Sequence, residues 1–101
     1  MFTHIWSMSF TEEATTDQRA DFVATMAELP AQIEGVQSFR SGVDLGLNRG
    51  NSDVVIVAEF ADATAWSAYL NAPAHVAFVN DQVTPLCASW GAIQFDPSAT
   101  V

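Results

Sequence analysis

Hydrophobic and polar positions first alternate along the chain. In residues 3–10, THIWSMSF, His4, Trp6, Met8 and Phe10 fall on one side and Ile5, Ser7 and Ser9 on the other, the period of two that predicts a strand. The period then lengthens. TTDQ at 15–18 has the form of a capping box, and Phe22, Val23, Met26 and Leu29 recur at spacings of three and four, which predicts an amphipathic helix ended by Pro30. Gly35 turns the chain into a second strand, VQSFRSGV (36–43), and the Gly/Asn/Asp-rich DLGLNRGNSD (44–53) reads as the loop of a hairpin. VVIVAEF (54–60) is apolar at nearly every position, the pattern of a strand covered on both faces. Asp62 caps a short helix through ATAWSAYLN, with Ala65, Trp66, Tyr69 and Leu70 inward. Pro73 opens a further helix, AHVAFVNDQV, that runs towards Pro85, because proline suits a first helical position. SWGAIQFD (89–96) closes as the last strand, and 97–101 form a flexible tail.

The order strand, helix, strand, strand, helix, helix, strand predicts an α+β fold, a ferredoxin-like split βαβ sandwich with a four-stranded antiparallel sheet, as one domain over 1–101 with its core in 3–96. Helices cover one face. The other carries Ile5, Val55, Val57 and Ile93, and a second copy of the sheet would cover it, which predicts a homodimer packed sheet to sheet.

Composition sharpens this picture. Half of the 101 residues are hydrophobic and only 15% are charged, an apolar excess that fits an extra buried surface. Twelve carboxylates face three arginines (Arg19, Arg40, Arg49) and no lysine, for a formal charge of −9. Nucleic acid and anionic membranes both call for clustered cations, so neither is an expected partner. The missing lysine removes Schiff-base chemistry on side chains. A lone cysteine, Cys87, fits a reducing compartment and reads as a small buried hydrophobe; together with a start that lacks a basic signal region and the absence of a run long enough to span a bilayer, it predicts a cytoplasmic protein. Two histidines and scattered carboxylates lack metal-ligand spacing, and no phosphate-cradling loop or nucleophile elbow occurs, so neither metal nor cofactor is expected.

HIWSMSF, LPAQIEGVQSFRSGVDL, VVIVAEFAD, AYLNAPAHVAFV and the closing IQFD, in that order, resemble the stress-responsive dimeric α/β-barrel (Dabb) family over residues 3–96. The most specific pieces are His4, the turn built by Leu29, Pro30, Ile33 and Gly35, and PAH at 73–75. The resemblance implies a dimer whose two sheets form a central α+β barrel, with a small cavity in each subunit between sheet and helices. A plant polyketide cyclase of that family uses a tyrosine and a histidine six residues apart for an intramolecular aldol condensation, and Tyr69 and His75 stand at the matching positions. His4 matches its strand histidine in the same pocket. The chain departs from that cyclase at Val54, where the cyclase has another histidine, at Gln94, where it has an aliphatic residue, and at Trp6, where it has a smaller one.

In an unbroken helix, residues six apart differ by roughly 240° of rotation, so Tyr69 and His75 can converge only across the bend at Pro73. His75 then lies in a first helical turn, where the helix dipole disfavours a second proton and leaves a base that works near neutral pH. The expected roles are His75 as base, the Tyr69 hydroxyl as donor to a forming enolate, and His4 as an orienting group, in a pocket lined by Trp6, Met8, Phe22, Met26, Ile56, Trp66, Trp90 and Gln94. The plainer reading of the same residues is structural: His75 as a helix-start residue, Tyr69 as a half-buried core aromatic, His4 as a strand histidine with a satisfied ring. Two functions follow: a cofactor-independent cyclase-, lyase- or oxygenase-type catalyst acting on a small hydrophobic or aromatic molecule, or a non-catalytic protein that binds such a molecule under stress.

Overall fold

The computed structural model describes residues 1–99. Its elements are β1 (Phe2–Phe10), α1 (Thr16–Gln32), β2 (Ser38–Val43), β3 (Val54–Phe60), α2 (Ala63–Asn71), α3 (Pro73–Phe78), a π-helical turn (Val79–Val83), α4 (Thr84–Leu86) and β4 (Cys87–Phe95). The four strands form one antiparallel sheet in the order β2-β3-β1-β4, the ferredoxin-like split βαβ arrangement, with the helices on one face. Pairing sets Ile5 opposite Val57 and Ile93, and His4 opposite Ala58 and Gln94.

Local chemistry explains most of these boundaries. The Thr15 hydroxyl accepts from the Gln18 amide at 3.1 Å while the Gln18 side chain accepts from the Thr15 amide at 2.9 Å, so the capping box satisfies two of the donors that open α1. Asp62 caps α2 by accepting from the Ala65 amide at 2.9 Å. In the hairpin between β2 and β3, Asp53 accepts from the Phe10 amide through its carboxylate and donates its own amide to the Met8 carbonyl, both at 2.8 Å. Gly35 turns with φ +87°, a conformation that disfavours a side chain.

Several boundaries differ from the sequence reading; β1 and β2, for instance, begin at Phe2 and Ser38 rather than at residues 3 and 36. α1 does not stop at Pro30 but carries it in its last turn and ends at Gln32. Leu29 and Ile33, both buried, clamp that turn to the core from either side of the proline, and this packing overrides the local preference of the residue before it. The helix after Pro73 is interrupted by the π turn at Val79–Val83, ahead of Pro85, which offers no N–H to the Asp81 carbonyl. β4 starts at Cys87 rather than at Ser89, and the Cys87 thiol is buried. Of the tail expected to fray, residues 97–99 form a turn in which Asp96 accepts from the Ser98 amide and hydroxyl, while 100 and 101 lie outside the described residues.

The core lies between the sheet and the helices: Met8, Val54, Ile56, Ala58 and Phe60 from the strands meet Phe22, Met26 and Leu29 of α1, Tyr69 of α2 and Phe78 of α3. Rings bind the layers, with Phe22 5.0 Å from Phe10 and 4.9 Å from Phe78 between centroids. β3 is sealed on this face only; on the other, Val55, Val57 and Glu59 stay half-buried within a single chain. The helical layer also stops short of β4, which leaves Trp90 and Ile93 more than half exposed on its two opposite sides.

Candidate functional site

The break between α2 and α3 builds the site. Ala72 adopts an extended conformation (φ −65°, ψ 140°), its amide still donating to the Tyr69 carbonyl at 3.2 Å while its carbonyl accepts from Val76 at 3.0 Å. One residue thus ends one helix and caps the next. The change of direction brings the Tyr69 and His75 rings to 4.7 Å between centroids, inclined at 57°. His4 reaches the same place from β1, its ring 6.3 Å from that of Tyr69 and 6.0 Å from that of Trp66, and Trp6 lies 5.9 Å from His75.

Beside these rings is a cavity of about 210 Å³ lined by His4, Trp6, Trp66, Leu70, His75, Val79, Trp90, Ala92 and Gln94. Of the residues expected along the pocket, Trp6, Trp66, Trp90 and Gln94 line it. Met8, Phe22, Met26 and Ile56 do not: all four are fully buried in the closed core. Strand alternation and helical spacing identify the face a residue points to, and these four share the cavity's face but sit deeper under the helices. Tyr69 is also fully buried and stands behind the wall rather than in it. Val79 and Ala92 join the lining unforeseen, although signals for both exist: Val79 follows His75 by one helical turn, and Ala92 pairs with Trp6. Two larger open hollows, of about 430 and 610 Å³, border the β2–β3 hairpin loop and hold none of the candidate groups.

The polar inventory is unusual. Among the described residues five buried side-chain atoms have no hydrogen-bond partner: Gln82 Oε1 elsewhere, His4 Nε2, Trp66 Nε1 and His75 Nε2 from the cavity's lining residues, and Tyr69 Oη behind its wall. An orphaned buried donor or acceptor costs about 1–3 kcal/mol, so four around one cavity mark a place shaped for something other than packing. The other nitrogen of His4, Nδ1, meets Gln94 Nε2 at 2.9 Å.

Burial also sets the protonation states. Desolvation, with the neighbouring His75 adding to it, pushes the His4 ring down to about 4. His75 is lowered as well, chiefly by desolvation, against a hydrogen bond to the Leu70 backbone that favours the protonated ring. Burial rather than the helix start is therefore the main cause at His75. Desolvation pushes the Tyr69 hydroxyl up to about 12. At neutral pH the site holds two neutral imidazoles and a protonated phenol. Among the described residues no group of three or more His, Cys, Asp or Glu side chains is arranged to hold a metal ion, and no helix is long and apolar enough to cross a membrane.

Fold and site together define a ferredoxin-like α+β domain with a small aromatic-walled cavity at a helix break. The chain belongs to the stress responsive A/B barrel domain (Dabb) family, whose model matches residues 2–97. Among solved structures, it is similar to a dimeric ferredoxin-like protein of unknown function from Thermobifida fusca, with 31% identity over 93% of this chain and 88% of that one and a TM-score of 0.84. A Dabb family protein with a ferredoxin-like fold from Mesorhizobium loti shares 22% identity over 97% of each chain, with a TM-score of 0.82. A hydroxynitrile lyase from Passiflora edulis shares the fold at 15% identity, over 99% of this chain and 95% of that one, with a TM-score of 0.83. No curated protein matches the sequence.

Proposed function

We propose that the chain is a cofactor-independent acid–base catalyst, of the polyketide-cyclase type, acting on a small hydrophobic carbonyl compound. The observation that carries this reading is the convergence of Tyr69 and His75 across the Ala72–Pro73 break, each with its reactive atom buried and unpartnered. His75, neutral near pH 7, removes a proton from a carbon flanked by two carbonyls. Tyr69, which burial keeps protonated, donates to the oxygen that becomes an enolate, and the enolate carbon attacks a second carbonyl of the same molecule to close a ring. His4 orients the substrate, and the rings of Trp6, Trp66 and Trp90 supply flat apolar walls. That a protein named as a hydroxynitrile lyase shares the fold supports a lyase-type variant in which His75 takes a hydroxyl proton instead.

The working unit of this proposal is a cytoplasmic homodimer paired through the open sheet face, as the dimeric relatives support. The full burial of Tyr69 behind the cavity wall favours the second reading, a protein that binds a small hydrophobic ligand without transforming it. Incubation with a linear β-polyketone, followed by product analysis, separates the two. Cyclised product from the wild type that is lost in His75→Ala establishes catalysis. Binding without product, or product formation unchanged in His75→Ala, removes His75 from the role of base.

A further inference from the structure

We infer that Gln94 is a positioning residue whose side-chain amide locks His4 with its proton on Nε2, so that His4 offers the ligand a hydrogen-bond donor while His75 offers an acceptor. This deepens the function proposed above and rests on it only for the part played by His75.

Donor counts fix the tautomer of His4. An amide nitrogen donates and does not accept, so with Gln94 Nε2 at 2.9 Å the His4 Nδ1 must be the acceptor. A neutral imidazole carries a single N–H, which then resides on Nε2, the buried nitrogen that has no protein partner. The backbone holds this contact in place, because His4 and Gln94 are directly paired between β1 and β4. His75 is arranged in the opposite sense. As the base of the reaction proposed above it needs an unprotonated Nε2, the buried nitrogen that has no protein partner, and its single proton then resides on Nδ1. The His75 Nε2 lone pair is left facing the site.

Two neutral histidines of opposite polarity narrow the ligand. Trp66 Nε1–H, also unpartnered and on a ring 6.0 Å from His4, adds a second donor on the same side. The class that satisfies all three atoms has a flat apolar body, a second carbonyl oxygen, apart from the one Tyr69 meets, held by His4 and Trp66, and an acidic proton presented to His75. An aliphatic residue at position 94 would leave His4 free to change tautomer and to compete for that proton. A reversed Gln94 amide would place Oε1 against Nδ1 and demand the other tautomer, which makes the proton's position the deciding observation.

The test is a long-range nitrogen–proton correlation spectrum of the full ¹⁵N-labelled chain at neutral pH. The chain has only two histidines, and His75→Gln assigns them. His4 is expected with its proton on Nε2 and His75 with its proton on Nδ1. Gln94→Glu, at an exposed position on an edge strand, places an acceptor-only carboxylate against Nδ1 and is expected to move the His4 proton there. Gln94→Met removes the lock and is expected to give a mixture of tautomers. A wild-type His4 protonated on Nδ1, or a His4 proton that stays on Nε2 in Gln94→Glu, overturns the inference. The spectra need no substrate: the expected tautomers in a chain that turns nothing over would defeat the catalytic reading and leave Gln94's role standing, and turnover with the tautomers reversed would do the opposite.

Discussion

Tyr69 keeps a hydroxyl group in a fully buried setting where no partner meets it, and His4 and His75 hold neutral rings there. Both facts have measurable consequences. Removing the orphan hydroxyl in Tyr69→Phe keeps the ring packing against Phe60, 5.1 Å away between centroids, and relieves a desolvation cost of about 1–3 kcal/mol. The variant should melt higher, by roughly 4–8 °C for each kcal/mol in a domain of this size, while losing turnover or ligand affinity. A lower melting temperature would mean that the hydroxyl is satisfied in solution, and the case for an unfilled site would weaken. The histidines give a pH dependence whose sign follows from their lowered values. As pH falls from 6.5 to about 4 the unfolded chain takes up a proton at position 4 that the folded chain refuses, so stability is lost on acidification and recovered on raising the pH. The loss from His4 approaches about 3 kcal/mol at the lower end of that window. Urea unfolding across the window should therefore show a steeper fall for the wild type than for His4→Gln, which shares the same carboxylates. Equal slopes would show that His4 titrates freely.

Proline acts at three helical positions, and the consequences differ with what surrounds each. Pro73 begins α3 where its missing N–H is no loss, and Pro85 follows a π turn, but Pro30 lies inside the last turn of α1 and denies a hydrogen bond to the Met26 carbonyl. Pro30→Ala restores that donor without disturbing the buried Leu29 and Ile33, and loses the smaller benefit of a stiffer unfolded chain. A net gain of about 1 kcal/mol is expected, read as a higher urea midpoint with unchanged slope. A drop in midpoint would show that the proline shapes the exit towards Gly35. The same contrast explains what was legible beforehand. Both N-caps were readable because Thr15 with Gln18, and Asp62 with Ala65, act within three residues of each other. The convergence of Tyr69 and His75 was readable because a proline between them allows a bend. The end of α1 was not, since contacts distant in sequence decide it, and the pocket wall was only half readable. Period-two and helical patterns place Trp6, Met8 and Ile56 on one layer, yet only Trp6, level with Ala92 and beside His75, borders the cavity; Ile56 lies one strand further from β4, and Met8 two residues further along β1. The locking contact of Gln94 with His4 spans nearly the whole chain and depends on strand register, which no local pattern displays.

At the scale of the whole molecule, the dimer proposed above turns on the sheet's uncovered face. Ile5 sits at its centre on β1, with Val57 beside it on β3 and Ile93 on β4, and Phe95 continues the patch along the edge strand. Leaving such a surface in water forgoes roughly 25 cal/mol for each Å² that a partner would cover. Against this stands charge. Two chains that each carry −9 repel across the aqueous gap, and salt screens that repulsion beyond about 10 Å at an ionic strength near 0.1 M. A sheet-to-sheet dimer held by apolar contact and opposed by charge should tighten as salt is added, the reverse of an interface held by ion pairs. Ile5→Glu tests the face directly: its neighbours in register, Val57 and Ile93, are both aliphatic and the cation in that row, Arg40, stands two strands away, so the new carboxylate is tolerated in a single chain and would be buried without an adjacent partner in a dimer. Sedimentation of the wild type is expected to give a dimer whose dissociation constant falls with salt, and sedimentation of Ile5→Glu a folded monomer. A wild-type monomer would sink the sheet-to-sheet interface outright, whereas a variant that remains dimeric would move the contact off this face and leave the open sheet without its cover.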